Sequence, residues 1–144
     1  MKAKLKPIFS LPDIDRDLKK WESKVSLEII YALSYLGEEA VNKARRLNSY
    51  TDRTGNLRSS LGYAVISDGK SVFEEFNGSG GSVGVSKGKE LLNELKTENP
   101  KGIILFVFAG MTYAAAVEAK NFDVITGAVP NKSKVTKTIN EFIS

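Results

Sequence analysis

The chain has 144 residues, 21 Lys plus Arg against 17 Asp plus Glu for a formal charge of +4, and neither histidine nor cysteine. Without cysteine there is no disulfide framework, thiol nucleophile or thiolate metal site; without histidine the commonest general base, the commonest transition-metal ligand and every Ser-His-Asp or Cys-His arrangement are gone. An apolar share of 42% over 144 residues describes one domain able to hold its own core, and the mild basicity permits contact with nucleic acid without arguing for it.

Residues 1–12 combine Lys2, Lys4 and Lys6 with Leu5, Ile8, Phe9 and two prolines, Pro7 and Pro12. This predicts an extended arm, either a free tail or one paired with a sheet edge or an adjacent subunit. The lysines lead into no apolar core of a signal peptide. The longest apolar run, 103–109, falls far short of the roughly 20 residues a membrane helix needs.

A long helix is expected over 13–48. Steps of three and four place Leu18, Trp21, Val25, Ile29, Leu33, Leu36, Ala40, Ala44 and Leu47 on one apolar stripe. Asp17, Lys20, Lys24, Glu28, Glu38, Glu39, Lys43 and Arg46 fall on the other face. Ser10 and Asp13, three apart, supply an opening cap. Gly37 interrupts the run at a cost of roughly 1 kcal/mol relative to alanine. An unbroken helix of this length spans on the order of 50 Å, more than the roughly 30 Å width of a small domain. Two outcomes remain open: a break near Gly37 into two core helices, or one continuous helix whose stripe is shared with a neighbouring subunit.

The segment 49–56 is polar and turn-rich, and 57–61 is long enough for a short helical turn. From Gly62 the period changes to two, with Tyr63 and Val65 on one face and Ala64 and Ile66 on the other. Asp68-Gly69 signals a hairpin returning through 72–76. Glu74 and Glu75 then lie on opposite faces, as exposed edge residues rather than a carboxylate pair. The glycines of 78–88 predict a flexible loop. They match no phosphate-binding motif, because Val83 and Glu90 stand where a P-loop needs Gly and Ser or Thr.

A short amphipathic helix is expected over 87–96, with Leu91, Leu92 and Leu95 inward. The run 103–108, apolar on both faces, reads as a central strand with the long helix on one side. Residues 112–119 offer a short helix to cover the other side, ending in Glu118, whose carboxylate pairs with Arg53 or Arg58 in the simplest arrangement. Residues 121–127 return to irregular or short strand structure. A final helix within 130–144 lines up Val135, Ile139 and Phe142, with Lys132, Lys134 and Lys137 outward. The expected class is α+β: one long N-terminal helix on an antiparallel sheet of three to four strands, with short helices at the rim.

Two segments carry a family likeness. Asp52-Arg53-Thr54-Gly55-Asn56-Leu57-Arg58-Ser59-Ser60-Leu61-Gly62-Tyr63 resembles the TGxLRxS segment that follows the long helix in minor tail components of tailed bacteriophages and prophages. These are the tail-completion or head-tail joining (connector) proteins. Ala109-Gly110-Met111-Thr112-Tyr113-Ala114-Ala115-Ala116-Val117-Glu118-Ala119 resembles their YAxxVE segment, although Ala119-Lys120-Asn121 replaces the glycine and threonine that normally follow. The resemblance implies a virion structural protein, made in the bacterial host cytoplasm, that forms a homo-oligomeric ring between neighbouring neck or tail proteins, with DNA passing through it. It implies no catalytic residue, cofactor or metal. On this view Thr54 and Gly55 turn the chain out of the helix, Asn56 caps the next turn, and Leu57 and Leu61 anchor it. Arg58 projects its guanidinium toward a carboxylate or phosphate, Arg53 belongs to the first motif, and Tyr113 and Glu118 belong to the second. The alternative for all of them is a turn that only determines the fold.

Two other classes compete. A small basic nucleic-acid-binding module would use Lys2, Lys4 and Lys6 with Arg45, Arg46 and Arg58, but acids alternate with these on the long helix and no reader motif is present. A carboxylate enzyme would have Asp13, Asp15, Asp17, Glu38 and Glu39, the first three where a helix start favours acids anyway.

Overall fold

The computed structural model describes residues 10–46, 56–76, 82–110 and 128–144. In chain order these form α1 (Leu11–Arg46), α2 (Asn56–Ser59), β1 (Leu61–Ser67), β2 (Lys70–Phe76), α3 (Ser82–Glu98), β3 (Ile103–Ala109) and α4 (Lys132–Ile143). The architecture is α+β, a long N-terminal helix on a three-stranded antiparallel sheet with further helices. The expectations for residues 1–9, 47–55, 77–81 and 111–127 lie outside the described residues. These cover most of the arm, the turn after α1 and the helix proposed for 112–119.

α1 is a single helix of 36 residues with no break at Gly37. Its start is fixed by the expected reciprocal cap of Ser10 and Asp13, and the helix begins at Leu11, two residues before the expected boundary, so Leu11 and Pro12 are helical rather than part of an arm. The Ser10 hydroxyl accepts from the Asp13 N–H at 3.3 Å, and Asp13 Oδ2 accepts from the Ser10 N–H at 3.2 Å and its hydroxyl at 2.7 Å. Gly37 is tolerated because nothing larger fits: a Cβ there would lie 2.4 Å from Tyr63 Cδ2 and 2.9 Å from Leu105 Cδ1. The helix thus comes down onto the sheet through the glycine that looked like its weak point.

β1 and β2 pair through a tight turn in which Asp68 (φ 49°) and Gly69 (φ 77°) are both left-handed, the combination a two-residue hairpin of type I′ requires. The register slips by one residue between Val65 and Ile66, leaving Val72 as the extra residue of a bulge. The strand order is β2-β1-β3. This corrects the placement of 103–108: β1 is central, and β3 lies at the edge of the described sheet. β3 looked central because both of its faces are covered. Leu105 and Val107 pack toward α1, while Phe106 and Phe108 pack toward α3.

The far face of the sheet is covered by α3, which packs Leu92, Leu91 and Leu95 against Ala64, Ile66, Phe76 and Phe108. α3 begins at Ser82, not at 87, so the second half of the expected flexible loop 78–88 is helix. Gly88 approaches so closely that a Cβ on Gly110 would lie 2.4 Å from the Gly88 nitrogen. Gly88 therefore serves the packing of α3 against the end of β3.

On the other face, α4 packs Val135 and Ile139 beside Leu36 and Val65, and Phe142 meets Tyr35 at 6.1 Å between ring centroids. Asn131 caps α4, its side chain accepting from the Lys134 N–H at 2.8 Å. The Lys134 ammonium pairs with Glu39 of α1.

Candidate assembly surface

The sheet and α4 cover only the C-terminal part of α1. Its buried positions begin at Ile30 and run to Ala44. Toward the N-terminus, apart from half-shielded Asp13, every residue from Leu11 to Lys24 is exposed. That length, at 1.5 Å per residue, projects about 20 Å beyond the body. The rod is not polar all round. Leu11 (82% exposed), Ile14, Leu18 (54%) and Trp21 (63%) follow one another at steps of three, four and three and lead into half-buried Val25. This is the spacing of a coiled-coil seam.

Local chemistry supports the helical state of the rod. Besides the Ser10–Asp13 cap, Arg16 pairs with Asp13 at 3.1 Å and Lys19 with Asp15 at 3.0 Å. Each exposed pair adds only a few tenths of a kcal/mol. Hydrogen bonds from the Ser10 hydroxyl, then from its backbone, hold the Asp13 carboxyl below its usual value. The acid therefore stays charged at the positive end of the helix dipole.

At the other end of α1, Arg45 is drawn into the body. Its Nη1 donates to Glu75 Oε1 at 3.1 Å and its Nη2 to the Leu61 carbonyl at 3.0 Å, with the side chain 13% exposed. Its buried Nε has no hydrogen-bond partner. This clamp joins α1 to β1 and β2 and corrects the expectation for Glu75, which is half-buried and ion-paired, while Glu74 is exposed. It also removes Arg45 from the basic set that a nucleic-acid module would use. Arg46 remains exposed, with Nε donating to the carbonyl of Asn42 at 3.3 Å.

Of the residues singled out by the family likeness, Leu57 is buried as expected, in one cluster with Val41, Ala44, Leu61 and Tyr63. Asn56 opens α2 and Arg58 lies within it. Arg53, Thr54, Gly55, Tyr113 and Glu118 lie outside the described residues, as does any ion pair of Glu118 with Arg53 or Arg58. Leu11 and Ile14 were missed as surface residues. Continuing the steps of three and four backwards from Leu18 reaches both.

Among the described residues no group of three or more Asp or Glu side chains is placed to hold a metal ion, and no helix is long and apolar enough to cross a membrane. Between α1 and α4 lie a cleft of about 190 Å³ lined by Leu36, Ala40, Ala128 and Lys134 among others, and an open groove of about 510 Å³ lined by Tyr35, Glu39, Lys137 and Glu141 among others. No protein family matches this chain, and no curated protein or solved structure is similar to it.

Proposed function

We propose that this chain is a structural protein of a phage or prophage particle, a head-tail joining or tail-completion (minor tail) protein that assembles as a homo-oligomeric ring. The observation that carries the reading is the projecting N-terminal stretch of α1, whose apolar row has no cover among the described residues. The likeness of 52–63 and 109–119 to minor tail components supports placing that ring at the neck of the particle. The protein acts by holding neighbours together, without catalysis, and its partners are copies of itself and adjacent neck or tail proteins.

The energetics favour a ring over an isolated pair. The uncovered fractions of Leu11, Ile14, Leu18 and Trp21 amount to more than two whole side chains. At roughly 1.5–3 kcal/mol for each large apolar side chain fully buried, covering one rod yields about 3–7 kcal/mol. Association itself costs an estimated 4–15 kcal/mol. One contact therefore makes a weak pair, whereas a closed ring gives every copy two contacts and makes the last closure intramolecular.

Light scattering across a concentration series, alone and with the capsid-portal and tail-tube proteins of the same particle, tests the reading. Species heavier than the 15.8 kDa protomer are expected, with complexes forming beside the neighbours. A strict monomer that also ignores both neighbours refutes it.

A further inference from the structure

We infer that α1 carries both halves of a head-to-tail interface between copies of this chain: the projecting row of one copy packs across a second row, Leu27, Tyr31 and Tyr35, on the α1 of the next. This rests on the ring reading above and specifies which surfaces meet. Leu27, Tyr31 and Tyr35 are spaced four apart and are each close to half exposed. They occupy the arc of α1 left between its two neighbours in the body. Tyr31 touches Phe73 of β2 at 6.1 Å between centroids on one side, and Tyr35 touches Phe142 of α4 on the other.

Three observations commit this row to a second copy. The two rows match in extent, about 15 Å from Leu11 to Trp21 and about 12 Å from Leu27 to Tyr35 at 1.5 Å per residue. They also hold most of the large apolar side chains exposed among the described residues, with the Trp and Tyr content typical of interface anchors. The third observation concerns symmetry. The projecting row paired with itself makes an isologous dimer and stops there, while a ring needs two different patches on each copy. Self-pairing is also opposed by charge, because helical spacing puts Asp15, Asp17 and Glu22 beside the projecting row and leaves Arg16, Lys19 and Lys20 toward the back.

The two rows lie about 120° apart around α1 and their centres about 22 Å apart along it. Each rod therefore leans across the middle of its neighbour's, like the blades of an iris. Such an arrangement can close without using any surface twice.

The absence of cysteine makes crosslinking a clean test. Leu18→Cys and Tyr31→Cys are made singly and together, with Lys101→Cys at an exposed site as the collision control. Under mild oxidation the double variant should give a ladder of dimers, trimers and higher species ending in a closed form. An equimolar mixture of the single variants should give heterodimers roughly tenfold faster than the control, and neither single variant alone should exceed it. Rapid homodimers from Leu18→Cys alone, with no ladder from the double variant, would overturn this inference while leaving self-association standing. Crosslinking at the control rate throughout would overturn both.

Discussion

Gly37→Ala separates two physical arguments of opposite sign. Helix propensity alone says the change stabilises by about 1 kcal/mol, since Gly37 lies mid-helix. The packing says otherwise. The new Cβ would sit 2.4 and 2.7 Å from Tyr63 ring carbons and 2.9 Å from Leu105 Cδ1, all inside contact distance. Tyr63 has little room to retreat. It is 6% exposed on the central strand, and its hydroxyl lies 3.3 Å from Ser34 Oγ, one turn before Gly37 on the same helix. Burial pushes its phenol above the usual value, so it remains a neutral hydrogen-bonding group. Overpacking by a single carbon in a filled core costs about 1–3 kcal/mol, occasionally more. With the Tyr63 ring and the Leu105 side chain both obliged to shift, the upper part of that range applies, and the net change is a destabilisation of about 1–2 kcal/mol after the propensity gain. Urea unfolding followed by far-ultraviolet circular dichroism should show a lower midpoint with an unchanged slope. Tyr63→Leu lowers stability by itself but should reverse the sign of the alanine effect, giving a coupling above about 1 kcal/mol in a double-mutant cycle. An alanine variant more stable than the parent, in the Tyr63 background, would refute the close approach of α1 to the sheet.

Three further outcomes follow from named contacts. Asp68 holds a left-handed conformation and exchanges hydrogen bonds with Gly102, its N–H to the Gly102 carbonyl and its Oδ1 from the Gly102 N–H, both 3.0 Å; Asp68→Ala should cost about 1–2 kcal/mol in the same unfolding assay, and Asp68→Asn much less. Arg45→Met keeps the buried stem but leaves the Leu61 carbonyl without its Nη2 donor and Glu75 without its ion pair, so a loss of about 1–3 kcal/mol is expected, whereas Glu75→Gln, at the more exposed end, should cost under about 1 kcal/mol. The Asp13 carboxyl titrates below its ordinary value of 3.8 in the folded chain, so its support of the rod is present above that value and is lost as the pH falls through the lower, folded one; amide protection at 10–14, taken relative to the intrinsic exchange rate, should fall on acidification, and Asp13→Asn should remove that dependence.

The features readable from sequence were those decided by a few neighbouring residues. Asp68-Gly69 specified the hairpin because both central residues of that turn need positive φ. Ser10 and Asp13 specified the start of α1 because each satisfies the other's backbone. The alternation of Tyr63 and Val65 against Ala64 and Ile66 gave the two faces of β1 correctly, since that period depends only on the strand itself. Strand order was not legible. Composition records whether a strand's faces are covered, and β3 lies between α1 and α3 just as β1 does, so its apolar residues say nothing about which edge is paired. The start of α3 failed for a related reason. Gly84 and Gly88 weaken a helix taken alone, and only the proximity of Gly88 to Gly110, distant in sequence, turns that weakness into fit. Gly37 was misjudged in the same way, because its partner Tyr63 lies on another element.

The candidate surface was half legible for a reason that also bears on what it is for. A stripe at steps of three and four shows that a helix has an apolar face but not where the sheet beneath it ends. From Val25 onward the face meets the body; before it the same steps continue through Trp21, Leu18, Ile14 and Leu11, which none of the described residues covers. A spacer would need no such pattern. Four turns of polar residues, capped and ion-paired as this rod already is, would hold the helix straight with no apolar row at all. Packing among the described residues therefore gives no reason for leucine, isoleucine and tryptophan at those positions, and their exposure raises the risk of indiscriminate sticking. The row makes physical sense if a specific surface covers it in the working state. A row of similar length exposed further along the same helix supplies one whose use leaves every copy with a free end of each kind until a ring closes.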